Sequence, residues 1–259
     1  MIINNININV IEHLTESKKL VIISHGIAEH IGRYEKFISN LVKAGFSVVG
    51  YDLEGHGLSG GNKGNIKSYK NFISTLHELV NHYRSRFDKI FLFGHSMGGG
   101  IVCAYNGLYQ DVDGIIASGA SVYTPKSAMI LKFIPGALMG FIKKQTKFGS
   151  DLTHDEKIVK NYQTDPLVLK YFYIKLVNEM FIKCTNFIKK NTKKMVTPIL
   201  FVHGAKDTIV SPSLPKKLFS KLLVKDKEII IYPRSKHEIL NDLEKQQATK
   251  DIITWINKH

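Results

Sequence analysis

The stretch Ile90-Phe91-Leu92-Phe93-Gly94-His95-Ser96-Met97-Gly98-Gly99-Gly100 sets one serine in a G-x-S-x-G frame, between an apolar strand-like run and a helix-like one. Strand, glycine-flanked serine and helix in that order read as a nucleophile elbow. The turn is too tight for side chains at Gly94 and Gly98, and Ser96 takes an unfavourable backbone conformation that holds its hydroxyl out at the sheet edge. The five-residue frame also occurs by chance, as a Gly-rich turn with an idle serine. Its flanks, Lys89 to Phe93 and Ile101 to Tyr105, favour the elbow.

Outward from this point, apolar runs recur at Leu20–Ile23, Phe46–Val49, Ile90–Phe93, Gly114–Ala117, Ile199–Val202 and Glu228–Ile231. Strands without polar alternation belong in a parallel sheet buried on both faces. Segments of helical period lie between most of them: Arg33 to Lys43, Ser68 to Phe87, Met97 to Tyr109, Pro212 to Leu223 and Ile239 to Asn257. Alternating strands and helices predict an α/β fold, with a mostly parallel central sheet and helices on both faces. The alternation lapses from about Ser121 to Lys194, where helical patterns occur without a convincing strand, so residues 121–194 are expected to form a helical cap. That cap is inserted between core segments 1–120 and 195–259. Within it, Ala128 to Ile142 is nearly all apolar and bracketed by Lys126, Lys143 and Lys144. It is too short for a membrane span and reads either as a buried helix pair or as a surface that covers the site's mouth and touches lipid.

A chain of 259 residues, 44% hydrophobic, can bury one full-sized core, which excludes a disordered or fibrous protein. Its two cysteines, Cys103 and Cys184, have neither disulfide-framework nor zinc spacing, so a reducing, cytoplasmic setting is expected, with peripheral membrane association. Met1 to Val10 alternates apolar residues with Asn and reads as a leading strand, not a signal peptide. The net charge of +14 comes mostly from scattered lysines without interleaved aromatics. A nucleic-acid groove is therefore not expected, and transient contact with anionic lipid surfaces is.

A serine hydroxyl is a weak nucleophile at neutral pH and needs a base, itself oriented by a carboxylate. In α/β-hydrolases these follow in the order Ser, Asp or Glu, His, each behind a strand. Asp207 follows the Ile199–Val202 run, and His237 follows the Glu228–Tyr232 run through Pro233-Arg234-Ser235-Lys236. Of the competing carboxylates, Asp226 precedes its strand, while Glu238 and Asp242 read as helix-start or surface residues. His82, His154 and His259 lack a strand-end context, and His203 occupies the turn leading to Asp207. Two backbone amides, of Met97 and of Ile27 in the Ser24-His25-Gly26-Ile27 turn, are expected to bind a developing oxyanion. No metal or organic cofactor is expected, since the triad needs none and no ligand cluster has metal spacing.

His25-Gly26-Ile27-Ala28-Glu29-His30-Ile31-Gly32-Arg33-Tyr34 resembles the HGxxEHxxRY signature of monoacylglycerol lipases and related lysophospholipases. Gly94 to Gly99, the Asp52-to-Ser59 segment of D-x-x-GHG-x-S form, Asp165-Pro166-Leu167 and His203-Gly204-x-x-Asp207 are similar to that family as well. The resemblance implies the α/β-hydrolase fold and serine hydrolysis of medium or long acyl esters beneath an apolar helical cap. It leaves Glu29, His30 and Arg33 either as a polar network bracing the oxyanion loop or as substrate-binding contacts to a glycerol group.

Two other functions fit the same elbow. One is different hydrolase-fold chemistry: a proline-type aminopeptidase, a transacylase or a cofactor-free haloperoxidase. The other is a non-catalytic hydrolase-fold binding module, although such a module would normally lack a triad member. The sequence is silent on oligomeric state.

Overall fold

The computed structural model describes residues 1–136 and 138–259; Ala137 and the side chains of Lys126, Ser127 and Lys132 lie outside the described residues. The strands are β1 (Ile2–Ile3), β2 (Ile6–Asn7), β3 (Val10–His13), β4 (Lys19–Ser24), β5 (Ser47–Tyr51), β6 (Lys89–His95), β7 (Gly114–Ser118), β8 (Lys143–Gln145), β9 (Tyr171–Tyr173), β10 (Ile199–Gly204) and β11 (Lys227–Tyr232). The α-helices are α1 (Glu35–Lys43), α2 (Tyr69–Arg84), α3 (Met97–Asn106), α4 (Glu156–Thr164), α5 (Ile174–Asn178), α6 (Thr185–Asn191), α7 (Ser213–Lys221) and α8 (Lys245–Lys258).

Seven strands form one sheet in the order β11-β10-β7-β6-β4-β5-β3. Only β3 pairs antiparallel; the other neighbours are parallel. Both faces are buried, and the period of two sorts the side chains between them. Leu20 and Ile22 of β4 and Leu92 of β6 join the core cluster that includes residues of α2 and α3. Val21, Ile23, Phe91 and Phe93 join the opposite cluster, with α1 and α8. In α8 the buried positions Ala248, Thr249, Ile252, Trp255 and Ile256 fall on one stripe of helical period, which seats the helix on that second face.

Three expectations need correction. The N-terminus is not one leading strand: Ile2–Ile3 folds back on Ile6–Asn7 through Asn4 and Asn5, both at positive φ, and the strand that joins the main sheet is β3. An Asn-Asn pair tolerates the left-handed conformation that a two-residue hairpin demands. The segment 121–194 is not purely helical, because β8 and β9 form an antiparallel ribbon in which Lys143 to Gln145 face Tyr173 to Tyr171. Finally, helix α8 begins at Lys245, and Ile239–Asn241 forms a separate 3₁₀ turn.

Between β7 and β10 the chain also forms a 3₁₀ helix over Lys126–Phe133 and a π-helical turn over Glu179–Cys184 that joins α5 to α6. Ala128, Leu131 and Met139 are buried against Ile174 and Ile182. Phe133 and Phe141, by contrast, are 87% and 82% exposed, so the 128–142 stretch is not a fully buried helix pair. Among the described residues no helix is long and apolar enough to cross a membrane.

Candidate active site

The parallel strands bring their C-terminal ends to one rim: Ser24 of β4 lies opposite Gly94 of β6, His95 opposite Ser118 of β7, and Gly204 of β10 opposite Tyr232 of β11. In open α/β sheets this is the edge where ligands bind. Ser96, Asp207, His237 and Ile27 all follow strands that end there.

Ser96 has φ 53° and ψ −111°, a left-handed conformation costly for any residue with a Cβ. Its neighbours explain why it persists. A Cβ on Gly94 would strike the Gly98 carbonyl, and one on Gly98 would strike the Ser24 carbonyl of β4. Only glycines let helix α3 start this close to the sheet. Ser96 Oγ makes no side-chain hydrogen bond among the described residues, although its backbone is fixed by Ser118 O at 2.8 Å. The hydroxyl sits at the positive end of α3, where developing negative charge is favoured.

His237 is 3% exposed and its Nδ1 donates to Asp207 Oδ2 at 2.7 Å. Burial disfavours charge on the imidazole, but the Asp207 carboxylate outweighs it and raises the His237 pKa above the ordinary histidine value. Burial likewise opposes the Asp207 anion and is overcome by His237 and His203, which hold its pKa far below the usual carboxylate range. The other oxygen, Oδ1, accepts from Ile209 N at 2.9 Å and Val210 N at 2.8 Å. His237 Nδ1 thus carries the proton, leaving Nε2 as the free base nitrogen.

Ser96 and His237 line one cavity of about 220 Å³, together with Gly26, Ile27, Glu29, Arg33 and Glu238. The rest of its wall is mainly apolar, including Leu131, Phe148, Leu152, Phe172, Ile174 and Phe181. Lys144, Gln145 and Lys147 also line it and are themselves exposed, so the cavity reaches solvent along β8. The amides of Ile27 and Met97 have no protein acceptor among the described residues, which leaves both available to an incoming oxygen.

Arg33 ties two sides of this cavity together. Its Nη1 donates to Glu29 Oε2 at 2.5 Å and to Glu238 Oε1 at 2.8 Å, and its Nη2 donates to Glu238 Oε2 at 2.9 Å. Glu29 Oε1 in turn accepts from Gly26 N at 2.5 Å and from the Tyr34 hydroxyl at 2.7 Å. One guanidinium therefore spans from the Gly26 peptide to the residue after His237, and it packs 4.6 Å over the Tyr162 ring. His30 does not line the cavity; its Nε2 lies 2.8 Å from Asp165 Oδ2.

Glu238 and Asp242, expected at a helix start or on the surface, are 5% and 2% exposed. Glu238 is buried by its pairing with Arg33, and Asp242 by the Lys236 and His154 amides that donate to it. His95, read from the sequence only as part of the elbow turn, also borders the site: its ring lies 4.7 Å from that of His237, its Nδ1 lies 3.2 Å from Ser118 Oγ, and burial lowers its pKa to about 3, so it stays neutral. His203 is also closer to the site than its turn position suggested, with Nε2 3.0 Å from Asp207 Oδ2. The i, i+4 spacing of His203 and Asp207 was the available signal. Among the described residues no group of three or more His, Cys, Asp or Glu could hold a metal ion.

The chain is similar to the monoglyceride lipase homolog of monkeypox virus, 30% identical over 255 residues that cover 94% of this chain and 91% of the relative. The monoacylglycerol lipase of Mycolicibacterium smegmatis is 27% identical over 253 residues, covering 95% and 90% of the two chains. The crystal structure of Paleococcus ferrophilus monoacylglycerol lipase superposes with a TM-score of 0.86 at 29% identity, covering 98% of this chain and 99% of that one. The family model described as serine aminopeptidase, S33, matches residues 15–244, and the chain belongs to that family of α/β-hydrolases.

Proposed function

We propose that this protein hydrolyses carboxylic esters of lipid-like substrates, monoacylglycerols or lysophospholipids, through an acyl-enzyme. Ser96 Oγ attacks the ester carbonyl while His237 Nε2 takes its proton, and Asp207 stabilises the resulting imidazolium. The tetrahedral oxyanion is held by the Ile27 and Met97 amides. His237 then passes the proton to the departing alcohol, and the C–O bond breaks to leave the acyl group on Ser96. Water then attacks the acyl carbonyl as His237 takes its proton, the bond to Ser96 breaks, and His237 returns the proton to Ser96 Oγ as the fatty acid leaves. The observation that carries this reading is a single apolar cavity holding both the elbow serine and the Asp207-bound histidine.

The family description names an aminopeptidase, and two carboxylates, Glu29 and Glu238, do line the cavity. A peptidase would use such a carboxylate to catch a free amino terminus. Here both oxygens of each already accept from protein donors. With apolar walls beyond them, the ester reading is favoured, and we assign Glu29 and Arg33 to bracing the oxyanion loop at the alcohol end of the substrate. His30, tied to Asp165, braces the cap.

Residues 121–194 act as that cap, and its exposed Ile130, Phe133 and Phe141 beside Lys143, Lys144 and Lys147 support transient contact with anionic lipid surfaces by a cytoplasmic, peripherally associated enzyme. A panel of monoacylglycerol, lysophospholipid and aminoacyl-anilide substrates tests the reading. Turnover of the lipid esters is expected, and turnover of the anilides alone would overturn it.

A further inference from the structure

The carboxylate that orients His237 has a second histidine on the same oxygen. His203, at the end of β10, is fully buried, and its Nε2 lies 2.8 Å from Val210 O and 3.0 Å from Asp207 Oδ2. A carbonyl oxygen can only accept, so Nε2 carries the ring proton and His203 donates it to Val210 O, with Asp207 Oδ2 3.0 Å from the same nitrogen. Its Nδ1 is then bare, and it is buried with no hydrogen-bond partner among the described residues. An unpaired buried acceptor is a standing cost. A leucine or phenylalanine at 203 would fill the space without it.

We infer that His203 is a positioning residue for the serine-hydrolase chemistry: it shares its one N–H between the Val210 carbonyl and Asp207, and so sets how strongly Asp207 draws the proton of His237. This rests on the proposed roles of Ser96, Asp207 and His237. Asp207 Oδ1 is already fixed by the Ile209 and Val210 amides, so its orientation survives without His203. The charge on Oδ2 does not survive unchanged. With His203 present its N–H lies beside that oxygen as well as the donor of His237, and the positive end of an N–H dipole near a carboxylate lowers its basicity. Without His203 the whole demand of Oδ2 falls on His237, whose imidazolium is then held more tightly and gives up its proton less readily. The same N–H ties the Asp207 turn to Val210, which lines the cavity.

The other charged or titratable groups facing His237 are His95 at the end of β6, Glu238 next in the chain, and Glu29 with its partner Arg33 on the oxyanion loop. None of these makes a hydrogen bond or ion pair with His203 among the described residues, so all remain in place when it is replaced.

The test compares His203→Phe with His203→Gln in the full chain, by the pH profile of kcat/KM on a short-chain p-nitrophenyl ester and by the rate of fluorophosphonate labelling. His203→Phe keeps the ring and removes the donor; His203→Gln restores an N–H at similar reach. The expected result is an acid limb about half a unit to one unit higher in His203→Phe, kcat lowered about 10-fold at neutral pH with KM within about twofold, and both restored toward the parent in His203→Gln. An acid limb that coincides with the parent's in a folded His203→Phe overturns the inference, as does one displaced downward. If His203→Phe fails to fold, His203→Gln carries the test through the His237 Nδ1 proton resonance, whose position must match the parent's; an altered resonance contradicts a role for the N–H alone. Parent protein that takes no label at Ser96 would instead overturn the proposed function, which separates the two failures.

Discussion

Ser96 bears a conformation that its own side chain disfavours, and the surroundings that enforce it are backbone atoms of Gly98 and Ser24. Replacing Ser96 by Gly removes the Cβ from a positive-φ position while keeping the turn. Ser96→Gly is therefore expected to be inactive yet at least as stable as the parent, the reverse of the usual effect of introducing glycine. Thermal unfolding checks this, and a large loss of stability would contradict it. Gly98→Ala has the opposite outcome, since its methyl group meets the carbonyl of β4. It should cost at least about 1–3 kcal/mol and abolish ester hydrolysis. At this scale the sequence was informative for Ser96, Asp207 and His237, because glycine spacing and strand ends are local properties of the chain. It was uninformative for Glu238, whose burial depends on an arginine 205 positions away.

Among elements, the Gly26–Ile27 turn after β4 and the His237 loop after β11 come from opposite parts of the sheet order, and Arg33 joins them. Arg33→Ala leaves Glu29 and Glu238 as buried carboxylates without their cation. The expected cost is about 3–5 kcal/mol in stability, read by denaturant unfolding, with ester turnover falling as the Gly26 peptide loses its anchor. Unchanged stability and turnover would show that the two loops hold themselves. The main strands and flanking helices were legible from apolar runs and helical period, since each is a local repeat that the sheet reinforces. The β8–β9 ribbon was not, because Lys143-Lys144-Gln145 has no apolar alternation and pairs with Tyr171–Tyr173 only through tertiary contact. Nor did Ile239 to Lys258 reveal that its first turn separates from α8, where Asp242 is drawn inward to cap the Lys236 and His154 amides.

The whole molecule combines a cavity that opens along β8, a cap edge with exposed Phe133 and Phe141, and a charge of +14. Phe133→Ser with Phe141→Ser is expected to lower flotation with anionic vesicles at low salt while leaving turnover of a short soluble ester unchanged; equal flotation would contradict contact through this edge. The pH response follows from the same groups. As the proposed base His237 must be neutral, and its pKa is raised, so ester hydrolysis is expected to fall as pH drops through a value above the ordinary histidine value of about 6.5. Burial opposes the anions of Asp207, Asp52 and Asp242, but their donors outweigh it and lower each pKa. Their contribution to stability is present above the unfolded value of about 3.9 and is lost as pH falls toward the folded values, while buried His95 and His56, whose pKa values burial lowers to about 3, cost stability as soon as pH falls below the unfolded histidine value of about 6.5; unfolding temperature should therefore decline from mildly acidic pH downward. The central claim is that Ser96 is the nucleophile, and it is tested most directly by fluorophosphonate labelling followed by intact mass and peptide mapping, with Ser96→Ala in parallel. One phosphonyl group on Ser96, no label on Ser96→Ala, and a loss of ester turnover of about four to six orders of magnitude are the predicted results. Label elsewhere, or undiminished hydrolysis by Ser96→Ala, would contradict it.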